Sequence, residues 1–219
     1  MEKDVGILLQ GAVNDWTKKI IKEYQQNFPN SQILLSTWNT ENTKDISCDI
    51  IKLEPPLPDP QHMNYRIVGT KEGLKRMSSK IIMKCRTDQF IHNKEIFQIF
   101  ENGCSKNKIM IPTFPTFTNV DYWASDLCQI GHKETLLDYW NSIQLWDGIW
   151  NPVPEIYFTA NYIIKGKKDL HPWSEIIKKY FYVKDYKNDF QIEWKSMTPE
   201  WNIKRFFDLF YTKCCLPDE

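Results

Sequence analysis

The chain has 219 residues, with 28 Lys and Arg against 28 Asp and Glu, so its formal net charge is zero. A chain of this length buries roughly 70% or more of the surface its unfolded form exposes and needs no disulfide or metal staple, and its 42% hydrophobic and 26% charged residues exclude a disordered or low-complexity protein. Basic pairs such as Lys18-Lys19 and Lys167-Lys168 are scattered among acids, which leaves no field to draw in nucleic acid.

Glu2 and Asp4 stand where a secretory signal would carry basic residues, and the apolar segment after them is too short for such a signal. No apolar run approaches the roughly 18 residues of a membrane-spanning helix. The expected location is therefore the cytoplasm. Cys48, Cys85, Cys104, Cys128, Cys214 and Cys215 form no CxxC pair and read as thiols of a reducing compartment.

In chain order, residues 5–9 form a short apolar run that ends in Gln10-Gly11, the pattern of a buried strand and a tight turn. Asp15 is placed to cap a helix in which Trp16, Ile20, Ile21 and Tyr24 recur at helical spacing. Residues 31–37 and 48–53 read as the next two strands, the second with β-branched Ile50 and Ile51. A helix is expected over 64–77, feeding a strand over 80–85. Strands alternating with helices predict an α/β layer with a largely parallel sheet, whose ligands sit outside the carboxyl ends of the strands. Beyond it, residues 96–100 read as helix, 109–112 as strand, and 134–146, 155–164, 173–181 and 201–211 as helices that cover the site.

Three strand ends hold an uncommon polar set: Gln10-Gly11, Ser36-Thr37-Trp38 and Arg86-Thr87-Asp88. Gly11 lets backbone approach a ligand closely, Trp38 can stack on a base or sugar ring, and Asp88 can hold a divalent cation through oxygen. A nucleoside diphosphate would use all three; Asp88 as an ordinary helix cap or loop acceptor is the alternative. Other chemistries lack their motifs. There is no GxxxxGK[ST] loop, no GxGxxG after the first strand, no HExxH or Cys/His zinc spacing, and no nucleophile elbow.

The order and spacing of several segments resemble a known family. Val5-Gly6-Ile7-Leu8-Leu9-Gln10-Gly11-Ala12-Val13, Phe28-Pro29 followed by Ile33-Leu34-Leu35-Ser36-Thr37-Trp38, Asn64-Tyr65-Arg66-Ile67 with Thr70 and Gly73-Leu74, and Lys84-Cys85-Arg86-Thr87-Asp88 are similar to the WavE lipopolysaccharide-synthesis family. Tyr122-Trp123-Ala124-Ser125-Asp126, Leu137-Asp138-Tyr139-Trp140 and Pro154-Glu155-Ile156-Tyr157 continue the likeness through the second half. The resemblance implies a glycosyltransferase with a GT-A-like, Rossmann-like sheet flanked by helices and a helical C-terminal part. Residues 1–112 would be its nucleotide-sugar half and 113–219 its acceptor half. It implies a nucleotide-sugar donor, a glycan or lipid-linked acceptor in surface polysaccharide assembly, and Mn²⁺ or Mg²⁺ at Asp88, the last residue of the segment that corresponds to an Asp-x-Asp motif. The triplet here is Arg86-Thr87-Asp88, so a cation stands at the first carboxylate position, and Arg86 could instead neutralise the diphosphate.

Sugar transfer needs charge neutralisation on the leaving group and, for inversion, a base at the acceptor. Asp126 is the first candidate base and Glu155 the second; a turn residue and a first-turn helix carboxylate are the alternatives. Arg66 reaches toward the diphosphate, unless it is a surface partner for Glu72. Gln10, Gly11, Thr37 and Trp38 complete the donor site, with Trp123, Trp146 and Trp150 a platform for the acceptor sugar and His171 a late metal ligand. An acceptor on a lipid carrier would favour peripheral contact with a membrane. Two other classes remain: a sugar- or nucleotide-binding protein of the same fold without turnover, and a nucleotidyltransferase, which would need a Gly-rich basic loop that residues 10–13 lack.

Overall fold

The computed structural model describes residues 4–59, 61–149 and 153–195. The helix expected over 201–211, Trp150 and the pair Cys214-Cys215 lie outside them. A seven-stranded sheet is formed by β1 (Val5–Gln10), β2 (Gln32–Trp38), β3 (Asp49–Leu53), β4 (Ile81–Arg86), β6 (Ile109–Pro112), β7 (Gln129–His132) and β8 (Phe181–Lys184), in the order β3-β2-β1-β4-β7-β6-β8. All neighbouring pairs are parallel except those of β7, which runs against both β4 and β6. A two-stranded ribbon of β5 (Gln89–Ile91) and β9 (Ile192–Trp194) stands beside it. This is the mostly parallel α/β sheet that alternation implied.

The central strands are apolar on both faces because helices cover both, as parallel sheets require. Period two divides β1, β2 and β4 between two cores. Ile7, Leu9, Ile33, Leu35, Met83 and Cys85 face α1 (Thr17–Asn27) and α3 (Ile96–Gly103), while Leu8, Leu34 and Ile82 face α2 (Met63–Arg76) and α4 (Lys133–Asn141). The same parity puts Gln10, Ser36, Trp38, Lys84 and Arg86 on the α2 side and Thr37 on the other.

Helix α2 lies unusually close to the sheet. A Cβ at Gly69 would stand 2.8 Å from Gln10 Cγ, and one at Gly73 2.5 Å from a Leu8 methyl, so glycine permits the approach. Its first turn is held by Asp59, which accepts from the backbone N–H groups of Met63 at 2.7 Å and Asn64 at 2.9 Å and so supplies partners that helix starts lack. Ser36 Oγ bonds to the Gly69 carbonyl at 2.7 Å, fixing α2 over the β2 end.

Several boundaries depart from expectation. Helix α1 is started by Asn14 and not by Asp15: Asn14 Oδ1 accepts from Trp16 N–H, its own N–H donates to Thr17 Oγ1, and Asp15 points to solvent. Helix α4 stops at Asn141, well short of Trp146, because the Trp146 backbone is paired in both directions with the Asn64 side-chain amide and must turn toward α2. The helix expected over 155–164 is α5 (Pro154–Ala160), which loosens into a π-helical segment, Asn161–Lys167. Helix α6 (Trp173–Tyr180) ends one residue early, since Phe181 already pairs with Ile109 at the start of β8. Strands β5, β7, β8 and β9 were not foreseen; each has three or four residues, too few for a periodic signal.

Candidate active site

At the carboxyl ends of β1, β2 and β4 the chain leaves a cavity of about 580 Å³. Its wall begins with the turn after β1. Gly11 adopts φ 141°, a backbone conformation L side chains rarely take, and a Cβ there would meet Thr87 Oγ1 at 2.7 Å. The turn is pinned on both sides: Asn14 Nδ2 donates to the Thr87 carbonyl at 3.1 Å, Thr87 Oγ1 to that of Ala12 at 2.7 Å, and Val13 N–H to Glu41 Oε2 at 3.0 Å. Two strand ends and the β2 loop thus form one rigid rim.

Gln10, Gly11, Trp38, Arg66, Arg86 and Asp88, named from the sequence as candidate donor-site residues, all line this cavity, and Asn14, Glu41, His62 and Tyr65 join them. Gln10 Nε2 donates to the Tyr65 carbonyl at 3.3 Å, and Trp38 is buried with Tyr65 edge-on at 4.9 Å between ring centres. Thr37 is buried and is not among the lining residues, as its position on the far side of β2 requires.

Two arginine–carboxylate pairs dominate the electrostatics. Arg86 grips Asp88 with a two-point fork, Nε to Oδ1 and Nη2 to Oδ2, both at 2.9 Å. Trp194 of β9 donates from Nε1 to the same Oδ2 at 3.1 Å, and the Arg86 guanidinium lies 5.2 Å from the Trp194 ring centre. Burial works to raise the Asp88 carboxyl, but hydrogen bonds and charge from Arg86 hold it below its ordinary value. Deeper in, Arg66 Nη1 donates to Asp126 Oδ2 at 3.0 Å. Glu72, the surface partner considered for Arg66, pairs instead with Lys75.

Asp126 is fully buried, as is Lys84, whose Nζ donates to the Asp126 carbonyl at 2.7 Å and sits 5.0 Å from the Trp140 ring centre. Burial opposes the charge on Asp126, yet Arg66, Lys84 and Arg86 together keep it ionised well below the usual carboxylate range. Burial pulls the Lys84 ammonium down, with Asp126 as the compensating charge. Glu155, in the first turn of α5, responds the opposite way: burial first, then the negative charge of Asp126, push its carboxyl up to about 7 against the pull of Arg66 and Arg86.

A divalent cation at Asp88 does not fit these residues. Both Asp88 oxygens already accept from a guanidinium, the neighbouring Glu41 carboxylate holds a backbone N–H, and among the described residues no three His, Cys, Asp or Glu side chains gather as a metal set. His171, expected as a late metal ligand, is not among the residues lining the cavity; its Nδ1 is bound to Asp169 Oδ1 at 2.6 Å. Nor does Trp123 belong to an acceptor platform, being buried with its ring 4.8 Å from that of Phe117.

A family model described as WavE lipopolysaccharide synthesis matches residues 9–212, nearly the whole chain. The chain belongs to the WavE lipopolysaccharide-synthesis family. No curated protein matches its sequence significantly. Two solved structures share the WavE chain's fold at low identity. One is a glycosyltransferase involved in glycosylation of the major capsid of PBCV-1, with 14% identity and a TM-score of 0.50, covering 84% of this chain and 85% of that one. The other is 4-diphosphocytidyl-2C-methyl-D-erythritol synthase from Anaerococcus prevotii, with 10% identity and a TM-score of 0.54, covering 95% of this chain and 100% of that one. This WavE protein therefore has the GT-A-like, Rossmann-like sheet seen in glycosyltransferases and nucleotidyltransferases. No helix among its described residues is long and apolar enough to cross a membrane.

Sequence reasoning missed Asn14, Tyr65, Lys84 and Trp194. Lys84 had a legible signal, a lysine inside the apolar strand Ile81-Ile82-Met83-Lys84-Cys85, where a cation survives only with a partner. Trp194 had none, since it meets Asp88 across 106 residues of sequence.

Proposed function

We propose that this protein is a glycosyltransferase that moves a sugar from a nucleotide-sugar donor to a glycan or lipid-linked acceptor in polysaccharide or lipopolysaccharide synthesis. The observation that carries this reading is the pair Arg66 and Arg86 on a 580 Å³ cavity at the strand carboxyl ends, with Glu155 in their field. Residues 1–112 would hold the donor, and 113–219 would supply the acceptor side.

In this reading an acceptor hydroxyl gives its proton to ionised Glu155 as its oxygen bonds to the anomeric carbon. The bond from that carbon to the diphosphate oxygen breaks, and the electron pair leaves with the nucleoside diphosphate. A base pushed up to about 7 is well matched to this task. Asp126, the first candidate from sequence, is buried and committed to Arg66, so its role is to position that guanidinium. Gln10, Gly11 and Trp38 would bound the nucleoside, and Thr37 would act only through the β2 backbone.

The test is a panel of UDP-, GDP-, CMP- and dTDP-linked sugars, read by thermal shift and by slow donor hydrolysis. A ligand that binds only the folded state raises the midpoint by mass action. One stabilising donor that is hydrolysed supports the transferase. Stabilisation with neither hydrolysis nor transfer to any glycan tried favours a binding protein of the same fold, a reading favoured by the closure of Asp88 against Arg86. No response to any donor removes both.

A further inference from the structure

We propose that the leaving diphosphate is neutralised by the guanidinium groups of Arg86 and Arg66, and that Asp88 acts as a positioning residue for Arg86 instead of as a metal ligand. The inference rests on the transferase reading and concerns the same cavity.

Three observations converge. First, the Arg86–Asp88 fork is complete and reinforced: two 2.9 Å hydrogen bonds, a third bond from Trp194 to Asp88 Oδ2, and the Trp194 ring beneath the Arg86 guanidinium. A divalent ion arriving at Asp88 would have to displace these donors and then stand beside a fixed positive charge. Second, toward the described residues Arg86 spends two of its five N–H groups on Asp88, and Arg66 spends one on Asp126. Both line the cavity with donors to spare, and planar forks of this kind match phosphate oxygens. Third, both guanidinium groups stand on the cavity itself, while the carboxylates near them are already occupied: Asp88 by Arg86, Asp126 by Arg66, and Glu41 by the Val13 N–H. When the anomeric C–O bond breaks and its electron pair passes to the diphosphate, these two groups receive the new negative charge without an added ion.

The experiment titrates the full chain with UDP, GDP and dTDP by calorimetry, in EDTA and in Mn²⁺, and separately with Mn²⁺ alone by electron paramagnetic resonance. The expected result is one diphosphate whose affinity is unchanged by EDTA, with no saturable Mn²⁺ site. Arg86→Gln should weaken that diphosphate about tenfold or more, the size of a lost hydrogen bond to a charged group. Arg86→Lys should recover part of the loss, and Asp88→Asn, which still accepts from Arg86, should weaken it far less than Arg86→Gln does. Circular dichroism checks that each variant is folded; if Arg86→Gln is not, the Arg86→Lys and Asp88→Asn titrations carry the test. Binding that EDTA abolishes and Mn²⁺ restores, or a saturable Mn²⁺ site lost in Asp88→Asn, overturns the inference and leaves the transferase reading standing. If no diphosphate binds in either condition the inference falls, and the nucleotide-sugar panel decides whether the transferase reading falls with it.

Discussion

The two arginine–carboxylate pairs of the site have the same chemistry and different surroundings. Arg66–Asp126 joins α2 to the segment ahead of β7, and its carboxylate side chain is 0% exposed. Arg86–Asp88 closes within three residues at the end of β4, with its side chains 23% and 20% exposed on the cavity. Asp126 answers to two cations through its side chain and its backbone, so it anchors the interior. Asp88 answers to Arg86 and Trp194 at the cavity wall, where it can set the direction of a guanidinium that a ligand then meets. The carboxylates differ in burial, which makes Asp126 an interior anchor and leaves Asp88 at the cavity wall, while both guanidinium groups reach the cavity.

This contrast breaks first at Asp126. Asp126→Ala leaves Arg66 and fully buried Lys84 without their counter-charge and should destabilise the fold by about 3–5 kcal/mol, measured by urea unfolding. A loss no larger than that of Asp88→Ala would mean that burial does not separate the pairs.

Glu155 offers a sharper test through pH. Its carboxyl is raised in the folded state above the ordinary value of 4.5, to about 7, so the folded chain binds more protons than the unfolded chain between those limits. Stability should therefore fall as pH rises through that window, and Glu155→Gln should remove this slope. The same variant should lower transfer by about 10²–10⁴-fold and flatten the rise in rate expected around neutral pH. A Gln variant with an unchanged pH–rate profile would take the base role from Glu155.

Asp59→Ala removes the acceptor for two N–H groups at the start of α2, the helix that carries Arg66. It should cost about 1–2 kcal/mol in thermal or urea unfolding and weaken donor binding through the displaced arginine. Asp88→Ala should cost the least, about 1 kcal/mol or below, because its pair is partly solvated. A larger loss would mean that the Trp194 contact makes the β9 ribbon part of the main core.

Much of the cavity wall was legible because parallel strands buried on both faces read as unbroken apolar runs, and the residues just past each run lie at a carboxyl end. That logic reached Gln10, Gly11, Trp38, Arg86 and Asp88 directly. It misjudged Thr37, one residue from Trp38, because proximity in sequence outweighed the alternation that sends successive strand residues to opposite faces. It placed Arg66 on the correct helix and pointed it toward the cavity, with a surface pairing to Glu72 as the alternative, but did not reach Asp126, 60 residues further on. Strand β7, four residues including Gly131, is visible only through the β4 and β6 backbones that pair with it.

Local pattern was therefore sufficient for the alternating α/β order, the polar strand ends and the missing first carboxylate beside Asp88, because each depends on neighbours within a few residues. The opposite shifts of the Asp126 and Glu155 carboxyls, the commitment of Asp88 to Arg86 and Trp194, and the reversed strand β7 came from the folded chain. They depend on burial and on charges brought together across roughly 30 to more than 100 residues of sequence, where a carboxylate's role is set by the cations and the water around it.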